Sequence, residues 1–171
     1  MKLIYFYKIE QEDKNLIYSW RKKSNVIKFL CKKKIDKSSH QKWFNKKLRS
    51  INFSAWTIMY SKKKIGLIQI DSIRKKKICN AGYYIAYTRY SYLTYEVMNN
   101  LHNFIFNKLK FDRIESYISI LNKNVRKLNK MSGYKELKKK NVDDEFLKTY
   151  LSKSMWKKSI AHNIFKKNGK I

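Results

Sequence analysis

The 171-residue sequence contains no proline, only four glycines and only two cysteines. Two cysteines, Cys31 and Cys79, are too few for the disulfide framework of a small secreted domain. Both stand among apolar residues with no histidine at metal-ligand spacing, so we expect small core residues and no metal site. Long hydrophobic runs are also absent, and none reaches the roughly 20 residues that a membrane-spanning helix needs.

A secretory signal is another feature that the sequence lacks. The N-terminal stretch from Met1 to Lys8 is short and is interrupted by lysine, whereas a signal peptide requires a longer apolar segment. We therefore expect a cytoplasmic protein that does not bind a membrane.

Acidic residues are scarce, because 12 Asp and Glu stand against 41 Lys and Arg, which gives a formal net charge of +29. Such an excess is typical of nucleic-acid-binding proteins. However, only six of the basic residues are arginine, the side chain that suits bidentate contacts to bases and phosphates. The abundant Lys, Asn, Ile, Tyr and Phe all have A/T-rich codons. We therefore favour codon bias over nucleic-acid binding, and a selected affinity for polyanions stays open as the alternative.

The residues that are present suffice for one domain of ordinary size. Hydrophobic residues make up 43% of the chain and aromatic residues 15%, which supports a globular core. We predict a domain over residues 1–155 and a basic tail over 156–171, either helical or frayed. Lysine runs separate the apolar segments and mark solvated turns.

Apolar periodicity predicts an α/β fold, with a twisted mixed sheet of about six or seven strands flanked by helices. Short lysine turns favour antiparallel hairpins, and the long helical connection from 94 to 109 permits a parallel pair. Ser38 or Ser39 is the predicted cap of the helix that contains Trp43, and a turn is predicted at Asp143-Asp144. The predicted strands cover residues 3–7, 54–60, 64–73, 78–87, 113–120, 134–138 and 146–152.

The segment from Gly82 to Tyr134 carries the clearest functional signal. It consists of a strand, a loop over 88–93, a helix that begins near Thr94, a second strand, and a helix that begins at Asn122. Backbone N–H groups and the helix dipole favour an anion at the start of a helix. The second strand ends beside this loop and gives a cleft, so the arrangement suits a cofactor that carries a pyrophosphate.

This segment resembles the acetyl-CoA-binding core of the GNAT N-acetyltransferases. Upstream, Trp20-Arg21, Val26, the stretch 40–44 and the stretch 65–71 resemble the RimJ/RimL-like branch. They are most similar to the PseH-type enzymes, which acetylate the 4-amino group of a nucleotide-linked amino sugar. The resemblance implies acetyl transfer from acetyl-CoA to a primary amine that attacks the thioester directly. A protein N-terminal amine is the second candidate acceptor, and a homodimer is left open.

The resemblance also implies a set of residues that bind the cofactor. Main-chain groups at 85–87 would pair with the pantetheine arm, and an N–H there would stabilise an oxyanion. Tyr92 occupies the position of the first glycine in the family's loop pattern, so a loop that has lost CoA binding is the alternative. The implied cofactor-binding residues are Ile85, Ala86, Tyr87, Ser91, Tyr92, Leu93, Thr94, Asn122 and Lys127.

The helix after Asn122 matches the family pattern in part. Asn122, Leu128, Gly133 and the aromatic Tyr134 agree with it, and Gly133 also has a structural reason as the left-handed end of a helix. Asn129 stands where the family often has a tyrosine that protonates the leaving thiolate. Because asparagine cannot give up a proton, a water or another tyrosine would have to supply it, or catalysis would be slow.

On the acceptor side, the resemblance implies that Arg21 and neighbouring aromatic residues grip the phosphate and base of a nucleotide. Their helical spacing is more often typical of core residues, so a core role is the alternative. His40 and Asp71 are the candidate catalytic residues, since the pKa range of histidine suits a general base and Asp71 lies at a strand end. A structural role is the alternative for His40. For the whole protein, the alternative is a binding module for polyanions that has lost its catalytic activity. The implied substrate-binding residues are Trp20, Arg21, Trp43 and Phe44.

Overall fold

The computed structural model describes residues 4–31, 34–50, 52–73, 77–137 and 145–168. Within these ranges seven strands form one mixed sheet flanked by helices, which confirms the predicted α/β fold. The predicted turn at Asp143-Asp144 lies outside them. The strands are β1 Ile4–Lys8, β2 Phe53–Tyr60, β3 Lys63–Ile73, β4 Ile78–Ile85, β5 Arg113–Ser119, β6 Lys135–Glu136 and β7 Phe146–Ser152.

The helices follow the predicted order, with two additions at the ends of the long connection. A 3-10 helix precedes α4 and a π-helical turn follows it. None of the helices in the described ranges is long and apolar enough to cross a membrane. The helices are α1 Asp13–Arg21, α2 Ser24–Ile27, α3 Lys37–Leu48, the 3-10 helix Thr88–Leu93, α4 Thr94–Asn103, the π-helix Phe104–Lys108, α5 Lys123–Met131, α6 Lys153–Lys157 and α7 Ile160–Lys167.

The strands are hydrogen-bonded in the order β1-β2-β3-β4-β5-β7-β6. β2 and β3 are antiparallel, as their short connection predicted, and β1 is antiparallel to β2 although α1, α2 and α3 separate them along the chain. β4 and β5 are parallel, and their register joins Ile78–Asn80 to Arg113–Glu115. β7 is antiparallel to both β5 and β6. The sheet is therefore mixed, and its parallel pair is formed by β4 and β5, the two strands that the long helical connection joins.

The chain divides into two compact units, and the boundaries fall at the end of β3, within β4 and at the start of α4. The first unit comprises Met1–Ser72 and Ala81–Thr94. Its core forms because α1 and α3 are amphipathic: Ile17 and Trp20 on α1 and Phe44 on α3 are buried together with Leu67 of β3. The cap of α3 is Asp36, whose carboxylate accepts a hydrogen bond of 2.7 Å from the Ser39 N–H. The predicted cap at Ser38 or Ser39 is therefore wrong by two or three residues.

A close approach of β3 to the end of β4 shapes this unit. The register of β2 and β3 shifts between Ile58 and Met59, which lie opposite Gly66 and Lys64, so Ile65 is an extra residue in β3. The carbonyl of Ile65 accepts a hydrogen bond of 2.8 Å from the Ala86 N–H. The bulge thus fixes the main chain just beyond the end of β4.

The second unit comprises Ile73–Asn80 and Tyr95–Ile171. Residues 156–168, which the sequence suggested as a basic tail, form the last two residues of α6 and all of α7, and Trp156 and Phe165 are buried. The carbonyl of Ala161 accepts a hydrogen bond of 2.9 Å from the Tyr95 hydroxyl. These two helices therefore contribute to the core of the second unit.

The end of α5 confirms the role predicted for Gly133. Its φ is +88°, its N–H donates to the Lys130 carbonyl at 3.1 Å, and the Tyr134 N–H donates to the Asn129 carbonyl at 3.0 Å. These two bonds define a Schellman motif, which requires a residue in the left-handed region.

The two cysteines differ from each other. Cys79 is buried, as predicted, and burial raises the pKa of its thiol to about 12. Cys31 is exposed, so the prediction that it is a core residue is wrong. Its apolar neighbours suggested burial, but they belong to the surface turn that follows α2.

Candidate cofactor and acceptor site

The predicted cofactor loop is a 3-10 helix rather than an open loop. The Tyr90 N–H donates to the Tyr87 carbonyl at 3.0 Å, and the Thr94 N–H donates to the Ser91 carbonyl. In such a helix each N–H donates to the residue three positions earlier, so the unsatisfied donors belong to its first residues. They are the N–H groups of Thr88 and Arg89. The α-helix itself begins at Thr94, as predicted, and the correction concerns the segment 88–93 before it.

The side chains of this segment point in different directions. Leu93 is buried and anchors the segment, whereas Ser91 is exposed. The Thr94 hydroxyl donates to the Ser91 carbonyl. Tyr92 is 66% exposed, and its hydroxyl lies 3.4 Å from that of Tyr60. The residue that replaces the family's first glycine therefore places its ring largely in solvent.

The chain at the end of β4 presents its main-chain groups alternately to the two edges of the strand. Because the Ala86 N–H donates to Ile65 of β3, this donor is already used. In an extended chain the N–H groups of the two flanking residues point to the opposite edge. Tyr87 remains extended, with φ −125° and ψ 122°. Of the three predicted residues, Ile85 and Tyr87 thus direct their N–H groups away from β3.

Cationic and aromatic side chains meet on the acceptor side of the first unit. The Arg21 guanidinium lies 4.4 Å from the centre of the Trp43 ring, and the Lys23 amine lies 4.2 Å from that of Tyr87. The Trp20 indole N–H donates to the Tyr87 hydroxyl at 3.3 Å. Trp20 and Phe44 are almost completely buried, so they support this cluster from the core rather than forming its surface.

Tyr84 is a member of this cluster that the sequence analysis missed. Its hydroxyl is buried, and within the described part of the chain it has no hydrogen-bond partner. Burial raises the pKa of Tyr84, and the positive charge of Arg21 opposes that shift. Burial likewise lowers the pKa of Arg21. An unsatisfied hydroxyl costs about 1–3 kcal/mol, so a polar ligand group at this point would be stabilised.

His40 lies in an enclosed position. It is 2% exposed and packs against the rings of Tyr18 and Trp43, at centroid distances of 5.2 and 5.5 Å. Its Nε2 lies 3.0 Å from the Lys14 carbonyl, which only accepts, so Nε2 carries the proton. Burial lowers the pKa of His40, and the hydrogen bond to Lys14 partly opposes this. Such an environment is typical of a structural histidine, and its role as a base stays a prediction.

Asp71 lies near the end of β3 and is 48% exposed. Its carboxylate accepts a hydrogen bond of 3.1 Å from the Lys47 amine on α3. An exposed ion pair of this kind contributes at most about 1 kcal/mol to stability. The catalytic role of Asp71 also stays a prediction.

In the second unit, Asn122 caps α5. Its side-chain oxygen accepts a hydrogen bond of 3.3 Å from the Val125 N–H, and its own N–H donates to the Ser119 carbonyl at the end of β5. Asn129, at the position of the family's tyrosine, is buried, whereas Lys127 is exposed. The structure therefore places Asn122 at the predicted strand end, with its side chain engaged in its own helix.

Residues 4–135 match the protein family described as Acetyltransferase (GNAT) domain. The match covers most of the chain, so the chain belongs to the GNAT acetyltransferases. These proteins are enzymes that use acetyl-CoA as the acetyl donor. No curated protein matches the chain.

Solved structures of two N-acetyltransferases and of one further domain share the fold. Spermidine N-acetyltransferase from Vibrio cholerae, in complex with CoA and spermine, is 13% identical with a TM-score of 0.75, over 90% of this chain and 97% of that one. Campylobacter jejuni N-acetyltransferase PseH, in complex with acetyl coenzyme A, is 20% identical with a TM-score of 0.67, over 88% and 99%. A domain from Methanocaldococcus jannaschii is 16% identical with a TM-score of 0.75, over 89% and 99%.

Proposed function

We propose that this enzyme transfers an acetyl group from acetyl-CoA to the 4-amino group of a nucleotide-linked amino sugar, as PseH-type members of the RimJ/RimL-like branch do. The observation that carries the proposal is the half-buried Arg21 on the face of Trp43, with the unpartnered Tyr84 hydroxyl nearby. A guanidinium binds phosphate, an indole offers a surface to a planar base, and a buried hydroxyl favours a polar sugar group.

The charges of the first unit favour an anionic acceptor over a polyamine. A polyamine is a cation and needs unpaired carboxylates. Among the described carboxylates of the first unit, Asp13 is paired with Lys64, Asp71 with Lys47, and Asp36 caps α3. Glu10 and Glu12 are exposed just before α1 and do not belong to the cluster around Trp43. The cluster around Trp43 is instead cationic. A protein N-terminal amine remains the second candidate acceptor, because its binding requires neither a cluster of cations nor a cluster of carboxylates.

The residues of the first unit also fit the donor. The N–H groups of Thr88 and Arg89 begin a helical segment, and the Arg89 guanidinium lies 5.0 Å from the centre of the Tyr90 ring. Donors and positive charge at a helix start suit the pyrophosphate of acetyl-CoA. We assign the N–H groups of Ile85 and Tyr87 to the pantetheine arm and to the developing oxyanion. When bound, acetyl-CoA supplies the activated acetyl group.

The first test measures binding of the donor. We expect acetyl-CoA to raise the melting temperature, because a ligand at 100 times its Kd stabilises the folded state by about 2.7 kcal/mol. Tyr92→Gly should tighten the binding, since glycine lets a phosphate approach the backbone closely. Differential scanning fluorimetry of both proteins gives the two affinities. The absence of any shift at millimolar acetyl-CoA would leave a binding module for polyanions as the better account of the chain.

The second test concerns the acceptor. Arg21→Met keeps the aliphatic packing on Trp43 but removes the charge. We expect the KM for a nucleotide-linked 4-amino sugar to rise about tenfold, the equivalent of about 1.4 kcal/mol, with an unchanged KM for acetyl-CoA. Initial rates of CoA release measure both constants.

Arg49→Met is the matched control, because Arg49 is an exposed arginine of the same unit at the end of α3. It should leave both constants unchanged. Wild-type enzyme that acetylates spermidine or a peptide N-terminus but not the nucleotide sugar would contradict the proposed acceptor.

A further inference from the structure

A groove of about 550 Å³ lies in the second unit, between α5 and the strands β5, β6 and β7. Its volume falls within the roughly 300–1,000 Å³ of small-molecule sites. Neither the predicted acceptor residues nor the 3-10 helix belong to it. The groove is lined by Ile118, Lys123, Arg126, Lys127, Asn129, Lys130, Tyr134, Glu136, Leu147 and Thr149.

One wall of the groove is a row of cations. Lys123, Arg126, Lys127 and Lys130 are spaced i, i+3, i+4 and i+7, so they share one flank of α5. Among the described residues that line the groove, Glu136 is the one carboxylate, and it lies 3.5 Å from Arg126. Within this described lining, four positive charges therefore stand against a single negative charge on a concave surface, where field lines are focused.

The floor of the groove is apolar. Ile118 of β5 and Leu147 of β7 are partners across the antiparallel ladder, so their side chains lie on the same face of the sheet. Ile118 is buried, and the hydroxyl of the neighbouring Thr149 donates to the Ser116 carbonyl. Beside a row of cations, such a floor suits a planar or apolar body rather than a hydrated inorganic ion.

We propose that this groove binds a nucleotide-class polyanion, with its phosphates on the cations of α5 and its base on Ile118 and Leu147. Lysines on a helix are usually solvated, but these four side chains line a cavity with an apolar floor. Of the residues that line the groove, Lys127 is also among the implied cofactor-binding residues, and none is among the implied acceptor residues. The acetyl-CoA present in the experiment below keeps the two roles apart, so the proposed binding does not depend on the proposed acetyl transfer.

The experiment is a titration of the protein with ATP in the presence of saturating acetyl-CoA. Binding is measured by isothermal titration calorimetry at about 150 mM salt, which screens non-specific charge attraction. We expect ATP to bind, and to bind more tightly than inorganic triphosphate, which lacks the base. The triple variant Lys123→Gln, Lys127→Gln and Lys130→Gln should weaken ATP binding at least tenfold. No binding of ATP to the wild type, or equal affinity for ATP and triphosphate, would overturn the proposal.

The matched control removes three exposed lysines from another surface of the same unit, with Lys157→Gln, Lys158→Gln and Lys166→Gln. We expect less than a twofold change in affinity. Equal weakening by both triple variants would indicate attraction by net charge alone and overturn the proposal. Hydrogen exchange on the wild-type protein provides a test that no substitution can disturb: ATP should protect α5 and β7, and protection confined to other elements would overturn the assignment.

Discussion

Gly66→Ala is expected to destabilise the protein by about 3 kcal/mol, near the upper end of the usual cost of overpacking a core. A Cβ atom at this position would lie 2.1 Å from the Tyr84 carbonyl oxygen and 3.1 Å from the Ile85 Cα. Both are backbone atoms of the neighbouring strand, so no side-chain rotation relieves the overlap. Either β3 or β4 must move. Urea unfolding of wild type and variant at pH 7 measures the difference.

Gly82→Ala is the control within the same unit. The nearest atom to a Cβ at position 82 is Nε2 of Gln69 at 3.9 Å, an ordinary contact. Alanine there should change stability by no more than about 1 kcal/mol, because it mainly restricts the unfolded chain. Equal losses for the two variants would show that the close approach at Gly66 does not set its cost.

The same substitution should affect the donor site. The carbonyl of Ile65, next to Gly66, accepts a hydrogen bond from the Ala86 N–H. This bond directs the N–H groups of Ile85 and Tyr87 to the other edge of β4. A displaced β4 would therefore move both donors. Any Gly66→Ala protein that stays folded is expected to bind acetyl-CoA more weakly than Gly82→Ala, by the same fluorimetric assay.

The parts of the fold that depend on periodicity could be read from the sequence. On one face of the sheet β5 buries Ile114 and Ile118 and β7 buries Thr149 and Leu151, α5 begins after a capping asparagine and ends before Gly133, and these signals are local. The order of these elements was sufficient to indicate the GNAT family. Periodicity also located β3 and β4. It does not show that Gly66 faces the Tyr84 carbonyl, because that contact depends on how β3 and β4 pair and on the bulge in β3.

Local signals failed where several residues could play the same part. Asp36, Ser38 and Ser39 are all good helix caps, and only the packing of α3 selects Asp36. Residues 88–93 contain neither glycine nor proline, so no marker distinguished an open loop from a 3-10 helix. The consequence is functional, because the donors that have no partner inside the helix are those of Thr88 and Arg89 rather than those of the implied residues 91–94.

His102 was missed for a different reason. Val97 and Leu101 mark one apolar face of the long helix in the sequence, and a pattern of apolar residues alone passes over a histidine beside them. In the structure His102 is 1% exposed, between Met98 and Phe106 at intervals of four residues. That spacing placed it on the buried flank, and a search for buried polar residues at helical spacing could have found it.

His102 leads to the second large effect, a loss of stability in weak acid. Its Nε2 lies 3.0 Å from the Tyr134 hydroxyl, and its ring packs against Phe106 and Trp156. Burial lowers the pKa of His102 from 6.5 to about 3. The unfolded chain therefore binds the extra proton below pH 6.5 while the folded protein does not. The stability that His102 contributes is complete above pH 6.5 and is lost as the pH falls toward 3.

The expected size follows from 1.36 kcal/mol for each pH unit over which only the unfolded state is protonated. Between pH 6.5 and pH 5 this amounts to about 2 kcal/mol. Few carboxylates titrate in that interval, so the histidines dominate it. Urea unfolding at pH 7 and pH 5 gives the loss directly.

His102→Gln tests the assignment, since glutamine can still hydrogen-bond Tyr134 but does not titrate. We expect the variant to be less stable at pH 7 but to lose about 2 kcal/mol less than wild type on going to pH 5. His162→Gln is the control, because burial also lowers the pKa of His162 but this side chain is only partly buried. It should retain most of the wild-type loss. If the two variants kept the same dependence on pH, the acid sensitivity would not originate at His102, and its ring would have to be accessible to protons in the folded state.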